Sequence, residues 1–306
     1  MDRTRATLIP AGTSEHGLRL WGILGGLVAL TFAIWMLFFP DLVAEQFAWD
    51  VRPRLAQAFI GAGYLFRTAF FFAIAFQPRW TKVRWMFWGN LVFTGTLLLA
   101  TYWHAEEFNW GQFAPPTAHF WIIFYVFEPV TMLYLVPRGE AARAPAPPTG
   151  GPILRLFRGF LVLEAGMLLM HGLLLVINPE FAALRWPWEL NPLDARMIAA
   201  WFLGWSAWTA TLAFARDWDE IRLAVRLNII NGLALAGTVV AFLPLFDFDT
   251  GTRTTSSYVA GVMVLTAAMI VFHILQERRR PRPVAGEDAP RAPGAGTTEV
   301  SASRAR

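Results

Sequence analysis

Residues 40–53, PDLVAEQFAWDVRP, return in altered form as residues 179–192, PEFAALRWPWELNP. Both stretches begin and end in proline, carry an acid at the second position and a tryptophan at the tenth, and lie 139 residues apart. A second pair, residues 76–90 and 214–228, shares phenylalanine, tryptophan, arginine and asparagine at matching positions with an offset of 138. Such a repeat predicts two copies of one structural unit. It has to be recognised before the fold is assigned, because it determines the architecture.

Composition indicates that the repeated unit belongs in a membrane. The chain of 306 residues is 56% hydrophobic and 15% aromatic, with a mean hydropathy of +0.42. Long uncharged runs point to membrane spans, and a bilayer core of about 30 Å needs about 20 apolar residues of helix. The predicted spans are residues 20–39, 55–76, 85–103, 117–136, 159–177, 197–215, 227–246 and 256–276.

The distribution of basic residues orients these spans. With successive loops assigned to alternating sides, 20 of the 26 Lys and Arg fall on the side that holds both termini. This is the positive-inside pattern, so we expect cytoplasmic termini, and the net charge of +4 reflects topology and not nucleic-acid binding. The first span has no small-residue cleavage site after it and is expected to be retained. One lysine against 25 arginines is typical of a GC-rich genome, so we expect a bacterial cytoplasmic membrane.

Each copy holds four spans, so the second copy is expected to insert in the same orientation as the first. The sequence thus predicts an all-α integral membrane protein of eight transmembrane helices, arranged as two parallel tandem four-helix modules. The expected segments are a cytoplasmic N-terminal segment (1–18), the first module (19–137), a Pro/Ala/Gly linker (138–152), the second module (153–277) and a disordered basic cytoplasmic tail (278–306).

A short interfacial helix is expected in each copy. The first span of each copy ends at a proline followed by an acid, at Pro40 and at Pro179, and this combination favours a helix start. Since tryptophan prefers the headgroup level of a membrane, we expect Trp49 and Trp188 to anchor these segments at the outer interface.

Ionisable side chains inside spans are costly and mark candidate functional sites. Arg67 lies mid-depth in the second span, and Glu128 lies mid-depth in the fourth, followed directly by Pro129. A proline inside a helix frees the carbonyl four residues earlier, so a kink is expected at the depth of Glu128. We predict a contact between Arg67 and Glu128. Its role is either a proton- or substrate-coupled pair or a structural ion pair that neutralises two buried charges.

Glu164 and His171 lie seven residues apart on the fifth span, so they share a helix face with about 10 Å between them along the axis. They indicate either a water-bridged proton path or a bundle-facing acid beside a separately satisfied histidine. At the offset of 139 they correspond to Gly25 and Phe32, so these charges belong to one half only.

Asn90 and Asn228, by contrast, occur in both copies, about two turns inside the third span of each. An amide in hydrocarbon needs a partner and usually points into the bundle. We expect a helix–helix hydrogen bond in each half, with a symmetric pore lining as the alternative.

Histidines make a cofactor site worth testing. His104 and His119 flank a loop that carries Glu106 and Glu107, which makes the two histidines candidates for a divalent metal site. Their spacing matches no metal motif, and the remaining intramembrane histidines lie towards opposite faces, which disfavours a bis-histidine haem. The sequence therefore predicts no cofactor.

Several function classes are excluded or disfavoured. The chain has no cysteine, and it lacks a phosphate-binding glycine loop, a nucleophile elbow and an HExxH motif. The sequence favours a non-catalytic membrane protein whose partners are the lipid bilayer and other membrane subunits or a second copy of itself. The alternative is a small-solute or proton-coupled transporter that uses Arg67, Glu128 and Glu164.

Overall fold

The computed structural model describes residues 15–77, 80–111, 117–141, 149–249 and 254–281. Within these ranges helix is the only regular structure, apart from one isolated bridge between Pro152 and Asp217. The ten α-helices described are α1 (Glu15–Phe38), α2 (Pro40–Gln46), α3 (Arg54–Phe76), α4 (Trp80–Trp103), α5 (Thr117–Ala141), α6 (Arg155–Ile177), α7 (Pro179–Arg185), α8 (Pro192–Ala213), α9 (Trp218–Ala241) and α10 (Thr255–Arg279).

Each of the eight windows predicted as spans overlaps one long helix, although α9 begins nine residues before its window and ends five residues before the end of that window. Among the described residues, six of them are long and apolar enough to cross a membrane: α1, α3, α5, α6, α9 and α10. Helices α4 and α8 are not among the six, and each carries several tryptophan and threonine residues. The architecture is therefore that of an all-helical, multi-pass membrane protein.

Both short helices expected after the first span of each half are present. Helix α2 begins at Pro40 and helix α7 at Pro179. An N–H at the first position of a helix has no acceptor within the helix, so proline, which lacks that N–H, is well suited to this position. Asn178 caps α7, since its side-chain oxygen accepts a hydrogen bond from the backbone N–H of Phe181 at 3.2 Å. Local sequence thus accounts for the turn after each first span.

The prediction that Trp49 and Trp188 anchor the protein at the headgroup level is wrong. Both side chains are buried, at 2% and 4% exposure. The Trp49 ring lies 4.9 Å from that of Trp121, and the Trp188 ring lies 5.4 Å from that of Tyr258. Both rings therefore pack within the helical bundle and do not face lipid.

The helices pack in two sets that meet through their central members. In the first half α1 packs on α3 and α4 on α5, and in the second half α6 packs on α8 and α9 on α10. Between the halves α4 packs on α8, and α3 and α4 pack on α9. The α4–α8 contact is close because both helices present glycine: a Cβ on Gly89 would lie 2.7 Å from the carbonyl oxygen of Gly204. Trp201 of α8 fills the neighbouring space, with its ring 4.3 Å from that of Phe93.

The connection between the halves is shorter than the sequence suggests. Helix α5 continues to Ala141, four residues into the expected linker. The end of the linker is anchored, because the backbone N–H groups of Gly150 and Gly151 both donate to Asp217 Oδ2 at 3.0 Å. Residues 1–14, 142–148 and 282–306, which include most of the expected N-terminal segment, the middle of the linker and the tail expected to be disordered, lie outside the described residues.

Candidate functional site

An arginine, an asparagine and a glutamate close a buried hydrogen-bond network in the first half. Arg67 Nη2 donates to both carboxylate oxygens of Glu128 at 2.6 Å, and Arg67 Nη1 donates to Asn90 Oδ1 at 2.7 Å. Asn90 Nδ2 completes the ring by donating to Glu128 Oε1 at 2.8 Å. The side chains come from α3, α4 and α5, so the network joins three helices. The predicted contact between Arg67 and Glu128 is present, and Asn90 forms the helix–helix bond expected of it.

This network is sealed. Arg67 and Glu128 are 2% and 1% exposed, and the rings of Phe93 and Phe71 lie 4.7 and 5.1 Å from the guanidinium carbon. Two crevices border the network, with volumes of only about 10 and 20 Å³, close to the least that holds one water molecule. A buried ion pair in this setting neutralises its own charges and leaves no room for a solute.

Glu128 is followed by Pro129 within an unbroken helix. Helix α5 runs through both Pro129 and Pro137 before it ends at Ala141. The hydroxyl of Tyr125, one turn before the proline, lies 3.1 Å from the hydroxyl of Tyr64. The kink expected at Pro129 stays a prediction.

The second half contains a cavity of about 420 Å³ between α6 and α10. Helices α8 and α9 supply its inner wall, and the lining is mostly apolar. His171, Arg185 and Ser257 are lining residues that are also exposed, so the mouth of the cavity lies near α7, between the adjoining parts of α6 and α10.

Glu164, His171 and Asn228, three of the residues predicted from sequence, line this cavity. Glu164 Oε2 is buried and has no hydrogen-bond partner among the described residues. His171 Nδ1 lies 2.8 Å from the carbonyl oxygen of Met167 and donates to it, so the histidine is satisfied separately from Glu164. Asn228 Nδ2 lies 3.5 Å from Thr209 Oγ1, a long contact unlike the closed network around its counterpart in the first half.

His104 bridges the two halves. Its Nδ1 lies 2.5 Å from Glu107 Oε1, and its Nε2 lies 2.6 Å from Arg196 Nη1. Because the guanidinium only donates, Nε2 accepts from it and Nδ1 carries the proton that is donated to Glu107. The ring of His119 packs against Trp110 at 5.5 Å. Across the ranges that the structure describes, no three His, Asp or Glu side chains are grouped so as to hold a metal ion.

Two polar residues at these sites were not predicted from the sequence. Asp194 is fully buried at the start of α8 and accepts a hydrogen bond from Trp49 Nε1 at 2.8 Å across the two halves. Its position after Asn191-Pro192 is typical of an ordinary helix start, which hides its long-range role. Asn231 lines the cavity, and its Oδ1 is buried without a hydrogen-bond partner in the described part of the chain. Its spacing of three residues from Asn228 was the available signal, since it places both amides on one helix face.

Comparisons with protein-family models, with curated proteins and with solved structures find no match to this chain.

Proposed function

We propose that this chain is a non-catalytic multi-pass protein of the bacterial cytoplasmic membrane, and that it holds a small amphipathic molecule in the cavity of its second half. Its eight long helices cross the bilayer as two parallel four-helix modules with both termini in the cytoplasm. Lipid, or a further membrane subunit, covers the exposed apolar faces of α6 and α10. One observation carries the proposal: the cavity occupies the place that aromatic rings fill in the first half.

Matching contacts where α4 and α9 begin support the duplication. Trp80 Nε1 and Arg84 Nε donate to Glu140 Oε1 at 3.2 and 2.6 Å, and this ties the start of α4 to the end of α5. In the second half the same pattern joins α9 to α10, with distances of 2.9 and 2.5 Å. The residues of the second contact are Trp218, Arg222 and Glu277.

The repeat offset changes along the chain. The offset is 139 between α1 and α6, and it is 138 both between α3 and α8 and between α4 and α9. Between α5 and α10 it is 137, because Glu140 matches Glu277. Glu128 therefore corresponds to Leu265 of α10, and not to Ala267 as the offset of 139 implied.

With these offsets, the crevice of the first half and the cavity of the second half lie at equivalent positions of the repeat. All ten residues that line the 10 Å³ crevice correspond to residues that line the 420 Å³ cavity. Six of the ten pairs are Val28 with Met167, Ala29 with Leu168, Tyr64 with Phe202, Arg67 with Trp205, Trp121 with Tyr258, and Tyr125 with Val262.

The other four pairs explain why one site is filled and the other is hollow. In the first half the rings of Phe32, Phe120, Phe124 and Phe71 form a chain of contacts with successive centroid separations of 6.2, 5.9 and 6.3 Å. Protein interiors are normally close-packed, so the loss of three of these rings and the replacement of the fourth by the smaller imidazole of His171 leave space that backbone shifts alone do not close. The residues at the four matching positions are His171, Ser257, Gly261 and Thr209.

The transport alternative has less support. Arg67 and Glu128 satisfy each other, and the two crevices that Arg67 lines have volumes of about 10 and 20 Å³. Glu164 lines the cavity of about 420 Å³. The arrangement favours a stable scaffold in the first half and a binding site in the second.

Filling the cavity tests this proposal. A Cβ at Gly261 meets no atom within 4 Å, so Gly261→Phe restores at that position the ring that the first half has at Phe124. The matched control is Gly237→Phe, because Gly237 also has open space around it, is exposed, and does not line the cavity. Each purified protein is titrated with decanol, and bound decanol is counted by native mass spectrometry.

The wild type and Gly237→Phe are expected to hold decanol that Gly261→Phe does not hold, while all three melt as folded proteins. Equal decanol binding by the three proteins would overturn the proposal. A Gly261→Phe variant that does not fold would be replaced by Thr209→Phe, which fills the cavity from α8 and is judged by the same outcomes.

A further inference from the structure

Among the described residues, the lining of the cavity includes two buried acceptors and one buried donor, Trp205 Nε1, that have no hydrogen-bond partner. Glu164 Oε2 and Asn231 Oδ1 are buried without partners in the described part of the chain. Since Nδ1 of His171 donates to a backbone carbonyl, Nε2 of the neutral ring is a further acceptor. A buried acceptor without a donor costs free energy, and a ligand that brings donors removes that cost.

Among the described residues that line the cavity, none places a cation opposite Glu164. In the first half, the guanidinium of Arg67 occupies this region and binds Glu128. In the second half, the position matching Arg67 holds Trp205, and the carboxylate comes from Glu164 on α6. Among the described lining residues Arg185 is the one Arg or Lys, and it lies at the mouth. The described lining of the second half thus keeps a buried carboxyl group with no positive charge beside it.

The depth of these groups sets the shape of a suitable ligand. Glu164 lies nine residues into α6, which corresponds to about 14 Å along the helix, and His171 lies about 10 Å further towards the mouth. Between the carboxylate and the mouth the wall is apolar and aromatic, with Leu168, Leu175 and Phe202. A ligand that enters head first would place a polar group at Glu164 and an apolar tail along this wall.

We propose that the ligand is a lipophilic primary ammonium compound whose head group binds Glu164 and Asn231 and whose alkyl part lies towards the mouth between α6 and α10. This inference rests on the proposed function, because it assigns the chemical class of the molecule held in that cavity. An ammonium group provides three donors and one positive charge, which together match two unpartnered acceptors and one uncompensated carboxylate. The surrounding rings, including Trp205, further favour a cation.

A matched set of probes tests the class. Decylamine, decanol and decanoate share one tail and differ only in the head group. For each probe, the relevant binding is the part that is lost in Gly261→Phe. This binding is measured by native mass spectrometry for the wild type, for Glu164→Gln and for Glu180→Gln. Glu180 is an exposed acid on the neighbouring helix α7 and does not line the cavity, so its variant controls for loss of one negative charge.

The wild type and Glu180→Gln are expected to bind decylamine at least about tenfold more tightly than decanol, which corresponds to about 1.4 kcal/mol, and to bind decanoate least. Glu164→Gln is expected to lose the preference for the amine and to bind decanol as the wild type does. Equal binding of decanol and decylamine by the wild type would overturn this inference and leave the proposed function standing. Absence of any probe binding sensitive to Gly261→Phe would overturn both.

Discussion

The indole N–H of Trp49 donates to Asp194 Oδ1 at 2.8 Å, and this bond joins the segment after the first span to the start of α8, 145 residues later. Asp194 also accepts from Asn191 Nδ2 at 3.0 Å, while the backbone N–H of Asp194 donates to the side chain of Asn191 at 2.6 Å. Asn191 therefore caps α8, and the fully buried carboxylate of Asp194 both holds the side chain of that cap and joins the two halves.

Trp49→Phe is expected to destabilise the protein by about 1–3 kcal/mol, because it leaves a buried carboxylate short of one donor. Thermal unfolding in detergent measures the loss. The control is Trp88→Phe, which changes an exposed tryptophan in the same way. If both variants melted at the same temperature, the bond between the halves would be irrelevant to stability.

Removing one partner of the Arg67–Glu128 pair is expected to cost about 3–5 kcal/mol, because the remaining charge stays buried without compensation. Arg67→Leu and Glu128→Leu are each expected to lose folded yield, whereas the double variant recovers much of it, and an exchange of the two residues preserves folding. Breaking the exposed pair Arg52–Asp50 with Asp50→Asn is the control, with an expected cost below about 1 kcal/mol. Single variants that fold normally and lose only a solute flux would support transport instead.

The α4–α8 contact is expected to reject even one added methyl group. In Gly89→Ala the Cβ would meet Trp208 Cβ at 2.6 Å and the Gly204 carbonyl oxygen at 2.7 Å, and the helices must separate, at a cost of about 1–3 kcal/mol. Gly95→Ala on the same helix enters open space and is expected to be neutral or to stabilise by up to about 1 kcal/mol, since alanine favours helix. Equal melting temperatures for the two variants would contradict the close contact.

Single cysteines distinguish eight spans from six, because the chain has no cysteine of its own. With eight spans, Glu106→Cys is labelled by an impermeant maleimide from outside the cell, whereas Gln77→Cys and Thr149→Cys are labelled only after the membrane is opened. If α4 and α8 did not cross, Glu106 and Gln77 would share a side. Labelling of both from the same side would therefore refute the eight-span arrangement.

The positions of the helices could be predicted from sequence, because the determinants are local. Apolar runs of about 20 residues define the long helices. Pro40 and Pro179 begin the short ones because their missing N–H and fixed φ suit a first turn. The contact between Arg67 and Glu128 was also predictable, since a buried charge requires an opposite charge at similar depth and the first half offers one of each.

The roles of the tryptophans and of Asp194 could not be predicted in this way. A tryptophan just after the end of a span, such as Trp49, is typical of an interfacial anchor. The ring of Trp49 is nevertheless buried, and its N–H donates to Asp194. The hydrogen bond between Trp49 and Asp194 depends on how closely α4 approaches α8. It also depends on which segment of the first half then lies against the start of α8. No pattern within either segment records this.

The sequence by itself determined the helical membrane architecture, the approximate positions of the long helices and the presence of a buried ion pair, because hydropathy, proline and uncompensated charge act within one or two segments. Only the tertiary structure decided that the first half is filled and the second is hollow. Three phenyl rings are lost at the positions of Phe71, Phe120 and Phe124, and that of Phe32 is replaced by a smaller imidazole. These positions lie on three different helices. The changes amount to a cavity only when packing brings those helix faces together, since packing volume is a property of neighbours in space and not of neighbours in sequence.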